Sequence, residues 1–233
     1  MDWRGAAKGE LAADSIDIPL RERLARIRAT VDALIPADRM APVERAIAEL
    51  SESGLAGRIL PFSSVAPAFS LPDQSGRVAS SADFLSRGPL ILVFYRGRWC
   101  PYDVTTLEAW NQWLPRIQAL GATLAAISPQ KLQHTSFTAD QHKLQYPVLS
   151  DAGNAVARQF GLIYRLPEYL QQHYRRVFVN LNNSNGDNTW ELPLPATYVL
   201  DRNGTVLHAR ADPDFRLRAE PAEVLASLEQ KRK

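Results

Sequence analysis

Between residues 20 and 50, apolar side chains return every three or four positions. Leu20, Leu24, Ile27, Val31 and Leu34 share one face, with Arg21, Glu22, Arg23, Arg26 and Arg28 mostly on the other. That spacing predicts an amphipathic helix. Pro36 is expected to end it, and Pro42 to begin a second helix carrying Val43, Ala46, Ile47 and Leu50 up to Gly54 and Gly57. The helical reading covers 14–57. It gives an N-terminal extension, residues 1–59, built as a hairpin of about 18–53 packed through Leu24, Val31, Ile47 and Leu50. Its apolar stripe must cover either the rest of the chain or a partner subunit, as in a homodimer.

From Leu60 the pattern changes. Short runs of two to six residues, Leu90–Tyr95, Thr123–Ile127, Val148–Leu149, Thr197–Leu200 and Val206–Arg210, read as strands. Helical spacing is predicted for Pro101–Leu120, Lys131–Gln145, Asn154–Phe160 and Pro221–Lys231. Asp201-Arg202-Asn203-Gly204 is a hairpin turn between the last two strands. Strands and helices alternate and a hairpin and helix finish the chain, so the class is α/β, a parallel sheet with an antiparallel edge. Residues 60–233 form this second unit. Pro167–Leu192 interrupts it as an insertion, helical to about Leu181 and then a polar loop over 182–188. Because the insertion runs directly into Pro195, it is expected beside the active site.

The chain has one cysteine, Cys100, in Phe94-Tyr95-Arg96-Gly97-Arg98-Trp99-Cys100-Pro101-Tyr102-Asp103. The preceding run is a buried strand by pattern and the following one a helix with Pro101 at its first position. A thiol at that junction faces the amides of a helix N-terminus, which stabilise a thiolate, the nucleophilic form. Arg96 and Arg98 lower its pKa further if they fold toward the sulfur; otherwise they stand in solvent. Asp103, one turn on, opposes them unless it pairs with an arginine. Helix and arginine are expected to win. A lone thiolate in a cleft can attack peroxide and become a sulfenic acid, or exchange with a disulfide.

The segment Phe94–Asp103 resembles the active-site segment of thioredoxin-fold proteins, and most closely the W-C-P-Y-C version of the AhpC/TSA peroxiredoxin-like family. The resemblance continues through Val65–Asp73, Gly121–Pro129, Leu149–Asp151 leading to Phe160-Gly161, and Leu194–Asp201. It implies a thioredoxin-like mixed sheet flanked by helices from about Val65 to the C-terminus. It further implies that Cys100 is catalytic, that Trp99 shields one side of the thiol, and that the proline-led strand holding Pro195 and Thr197 lies opposite, with a cis bond at Pro195. Three features depart from the family. Asp103 replaces the second cysteine, so no intrachain disulfide can form. Val93 and Gly97 hold the proline and threonine positions of the peroxiredoxin signature P-x-x-x-T-x-x-C. Leu194-Pro195 stands where typical peroxiredoxins carry an arginine.

Composition adds boundaries. With 233 residues and 45% hydrophobic content there is enough chain for one substantial core and an added unit. Twenty-seven basic against 25 acidic residues leave a net charge of +2, which gives no electrostatic argument for nucleic acid or an anionic membrane. No segment has the length of a transmembrane helix or of a signal-peptide core, and an unpaired cysteine suits a reducing compartment such as the cytoplasm. His134, His142, His173 and His208 are scattered, so no metal is expected, and no nucleotide fingerprint is present. The Lys231-Arg232-Lys233 tail reads as solvated.

Three readings remain: a one-cysteine thiol peroxidase for hydrogen peroxide or organic hydroperoxides, recycled by an external thiol (thioredoxin or glutathione) with no bound cofactor; a monothiol oxidoreductase acting on disulfides or glutathione adducts; and a non-enzymatic redox sensor or binding module.

Overall fold

The computed structural model describes residues 18–230. Residues 14–17 of the helical reading, the signal-peptide reading and the basic tail lie outside the described residues. The helices are α1 (Leu20–Leu34), α2 (Ala37–Glu52), α3 (Ser81–Arg87), α4 (Pro101–Ala119), α5 (Leu132–Gln141), α6 (Ala155–Gln159), α7 (Glu168–Arg176), α8 (Leu181–Asn185) and α9 (Pro221–Gln230). The strands are β1 (Ser70–Pro72), β2 (Val78–Ser80), β3 (Leu90–Phe94), β4 (Thr123–Ser128), β5 (Val148–Ser150), β6 (Ile163–Arg165), β7 (Glu191–Pro193), β8 (Ala196–Leu200) and β9 (Val206–Ala211).

Five strands form the central sheet in the order β5-β4-β3-β8-β9, a mixed sheet flanked by helices, the thioredoxin-like arrangement. β3 lies in the middle, parallel to β4 and antiparallel to β8. All five of its residues are buried, which is why it reads as an unbroken apolar run rather than an alternating one. Leu90, Leu92 and Phe94 face a cluster with Phe160 and Tyr198. Ile91, Val93 and Tyr95 face Leu107, Trp110 and Ile117 of α4 and Val224 of α9. The chain therefore leaves the sheet centre at Phe94 and reaches α4 within seven residues, placing Cys100 over the carboxyl end of the sheet.

Several expectations need correction. The second helix starts after Pro36, not at Pro42, which sits within α2. Pro42, the sixth residue of α2, forfeits the bond its N–H would give to the Asp38 carbonyl, and the helix runs on through it. The two N-terminal helices do not pack chiefly on each other. Leu24 joins a cluster with Tyr102 and Ala109 of α4, whereas Ile47 packs with Leu170 and Tyr174 of α7, and Leu50 packs against the sheet cluster. The stripe covers the rest of the chain, in two places.

In the insertion, α7 stops at Arg176 through a Schellman cap. Phe178 takes a positive φ of 60°, its N–H donates to the Arg175 carbonyl, and the Val179 N–H returns to the Tyr174 carbonyl. The polar loop expected over 182–188 is in part α8. The Asn180 side chain accepts the Asn183 N–H at its start, and Gly186 ends it with a left-handed φ of 84°. β6 and β7, both unforeseen, form a two-stranded ribbon that carries the insertion back to the sheet.

Candidate active site

The turn between β3 and α4 is held by a carboxylate. Asp103 in the first turn of α4 accepts the backbone N–H of Arg96 (3.0 Å) and of Gly97 (3.2 Å) on one oxygen. On the other it accepts Arg218 Nη2 at 2.7 Å. Gly97 has a φ of 153°, and a Cβ there would meet Trp99 Nε1 at 2.5 Å. The threonine of the peroxiredoxin signature has no room at this position. Cys100 is the N-cap residue of α4, with Pro101 at the first helical position.

The sulfur of Cys100 accepts Arg96 Nη2 at 2.8 Å. Arg96 is itself fully enclosed. Phe215 lies 3.7 Å from the guanidinium carbon and Trp99 5.0 Å, the Tyr174 hydroxyl accepts Nη1 at 3.4 Å, and Tyr164 lies against it. Trp99 in turn meets Tyr174 edge to face. Cys100 is 2% exposed, Arg96 1% and Asp103 0%.

Charge and burial compete at the sulfur. Burial pushes the Cys100 thiol up, the Arg96 guanidinium pulls it back, the Asp103 carboxylate raises it again, and Arg218 lowers it. Burial wins, and the thiol sits above its ordinary value. The sequence expectation that helix and arginine prevail is corrected: it did not include so complete a removal of water. Arg96 and Arg218 together carry two positive charges against the one carboxylate, so ionising the thiol would leave this buried cluster neutral.

Of the residues singled out in the sequence, Arg96, Trp99, Cys100 and Asp103 meet in one cluster. Pro101 starts the helix. Arg98 turns away: its guanidinium stacks over Phe137 at 4.2 Å, and its N–H donates to Gln130. Pro195 and Thr197 are buried and, with Arg210 and Arg218, line a hollow of about 10 Å³, the scale of one water. They approach the site through Arg218 rather than at the sulfur. The peptide bond at Pro195 is trans, since no described bond is cis. The chain arrives there already extended, with the Leu194 N–H bonded to the Leu162 carbonyl and Ala196 paired with Phe94, so no reversal is needed. The insertion does reach the site, through Tyr174 of α7.

Arg218, Phe215, Tyr164 and Tyr174 were not singled out. Asp212-Pro213-Asp214-Phe215-Arg216-Leu217-Arg218 reads as a solvated charged loop, yet Arg216 is buried between Asp214 and Glu44 of α2. The one available signal was an aromatic residue set among paired opposite charges.

The thioredoxin-like sheet delivers a single buried cysteine to the start of a helix and an arginine to its sulfur. Residues 63–209, more than half of the chain, match the AhpC/TSA family model, and the chain belongs to that family. It is similar to the chloroplastic peroxiredoxin Q of Gentiana triflora, at 29% identity over 143 residues, 61% of this chain and 55% of that protein. The chain thus spans little more than half the length of this relative. Among solved structures it is similar to peroxidoxin BcpB from Mycobacterium tuberculosis (TM-score 0.59, 23% identity, 75% of this chain and 99% of that one). A yeast mitochondrial 1-Cys peroxiredoxin is also similar (TM-score 0.58, 15% identity, 75% and 77%).

Proposed function

We propose that the protein is a one-cysteine thiol peroxidase. The observation that carries this reading is the Arg96 guanidinium placed 2.8 Å from the sulfur of the only cysteine in the chain. The Cys100 thiolate attacks the terminal oxygen of a hydroperoxide. The O–O bond breaks, the leaving oxygen takes a proton and departs as water or an alcohol, and the sulfur becomes a sulfenic acid. Arg96 is placed to stabilise the thiolate and the charge that develops on the departing oxygen. Position 103 holds aspartate, so an external thiol must complete the cycle. It displaces water to form a mixed disulfide, and a second thiol releases Cys100 and leaves as the disulfide. In the yeast 1-Cys peroxiredoxin the thiol is resolved via glutathione and thioredoxin systems; the same classes of reductant are the candidates here, in a reducing compartment such as the cytoplasm.

The test compares two reagents on the same sulfur. Access and ionisation affect peroxide and iodoacetamide alike, so the ratio of their rates isolates peroxide chemistry. The ratio for Cys100 should exceed that of free cysteine by about a hundredfold, with a sulfenic acid trapped by dimedone. A ratio equal to that of free cysteine would overturn the assignment.

A further inference from the structure

Cys100 is only 2% exposed in the arrangement observed. The sulfur, its arginine and Asp103 are all buried, and neither the hollow beside Pro195 nor the groove of about 380 Å³ between α4 and α9 is lined by the cysteine. Some element has to move. β3, α4 and β8 belong to the sheet and its main helix. Part of what covers the thiol comes from outside the family-matched residues 63–209. Leu20, Leu24 and Ile27 of α1 form one apolar cluster with Cys100, Tyr102 and Ala109, with Phe215 packed at its edge.

α1 lies on α4 and is tied at its N-terminal end from far along the chain. Its N-cap residue is Pro19, which supplies no capping side chain. Its exposed amides are satisfied from 200 residues away: the Glu220 carboxylate accepts the N–H of Leu20 at 3.0 Å and of Arg21 at 3.2 Å. Arg21 pairs with Glu223 at 3.1 Å where both are well exposed, and Arg23 donates to Gln112 of α4. Four of its fifteen residues are buried. Helices with so little buried area open locally at less cost than the core.

We propose that α1 is a lid over Cys100, latched by Glu220, and that its opening determines which oxidants and thiols reach the sulfur. The closed lid keeps water out and so keeps the thiol protonated. Opening it removes the burial penalty while leaving Arg96 and Arg218 in place, so access and activation arrive together. The inference concerns entry to the thiol and stands whatever the thiol then attacks.

The experiment uses the full chain, iodoacetamide as a small probe and a polymer-linked maleimide as a bulky one. Wild-type Cys100 should react with both far more slowly than the guanidinium-unfolded chain. Glu220→Ala removes two charge-assisted bonds and should speed both reactions by about tenfold or more. Hydrogen exchange at the Leu24–Ile27 amides should quicken by the same factor while β3 and β4 amides keep their protection. Should that variant destabilise the whole fold, wild-type protein in urea below its unfolding midpoint answers the same question, with alkylation tracking α1 exchange. Alkylation that tracks only global unfolding would overturn the proposal. So would a wild-type thiol that meets the bulky probe as fast as the unfolded chain does.

Discussion

β3 and α1 both close on the Cys100 region, yet they are held on different terms. β3 is buried along its whole length, hydrogen-bonded on both sides, and loaded with large apolar residues on both faces. α1 touches the rest of the molecule along one stripe and borrows its N-terminal cap from Glu220. The first region lies within the residues shared with the AhpC/TSA family and supplies the nucleophile. The second, with Phe215 and Arg218, lies beyond them and supplies part of the enclosure. The contrast teaches that a family cysteine can be conditioned by segments outside the family-matched residues. Five substitutions and a pH experiment break or sharpen the comparison.

Cys100→Ser should eliminate peroxide and thiol-exchange chemistry altogether, with melting shifted by no more than about 1 kcal/mol of stability. Retained turnover would mean that another residue carries the reaction. Arg96→Met should slow peroxide attack on Cys100 by roughly 10²–10³-fold. Its alkylation profile should move to higher pH, because Arg96 is the main influence lowering the thiol pKa; an unmoved profile would argue for a packing role alone. Arg218→Met leaves the Asp103 carboxylate buried with one cation fewer, costing about 3–5 kcal/mol by denaturant unfolding. Adding Asp103→Asn should recover part of that loss, and strict additivity would deny their coupling. Leu24→Ala should cost about 2–3 kcal/mol, seen in α1 amide exchange rather than in β3.

The smallest effect concerns alkaline pH. The folded pKa of Cys100 is raised by burial, so the fold favours the protonated thiol. That contribution is fully present below the unfolded thiol pKa and is lost as pH rises through the folded value. Wild type should therefore lose more melting temperature on the alkaline side than Cys100→Ser; parallel curves would count against a thiol held neutral in the fold.

Local features were legible from sequence wherever the physics is local. The unbroken apolar run of β3, proline at the start of α4 and the Asp201–Gly204 turn each state their structure within a few residues. What escaped depends on partners far along the chain. Arg218 and Asp103 are 115 residues apart, and Glu220 caps a helix 200 residues before it. In the charged stretch Asp212–Arg218 only Phe215, set among paired opposite charges, hints at buried pairs rather than solvated side chains. The strands β1, β2, β6 and β7, three residues each, are too short for a period of two to show. The asparagine-rich stretch was misread because its polarity serves helix capping at Asn180 rather than solvent contact.

The latch on α1 also has a kinetic consequence. A thiol that reacts only after a helix lifts has two steps in series, opening and attack. At low oxidant the second step governs, and the rate rises with concentration and differs between hydroperoxides. At high oxidant attack outpaces reclosing, and the rate levels off at the opening rate. That ceiling should be the same for hydrogen peroxide, an organic hydroperoxide and iodoacetamide, three chemically unrelated reagents, and it should rise in Glu220→Ala. The borrowed cap of a surface helix thus sets an upper speed for any chemistry at the sulfur beneath it.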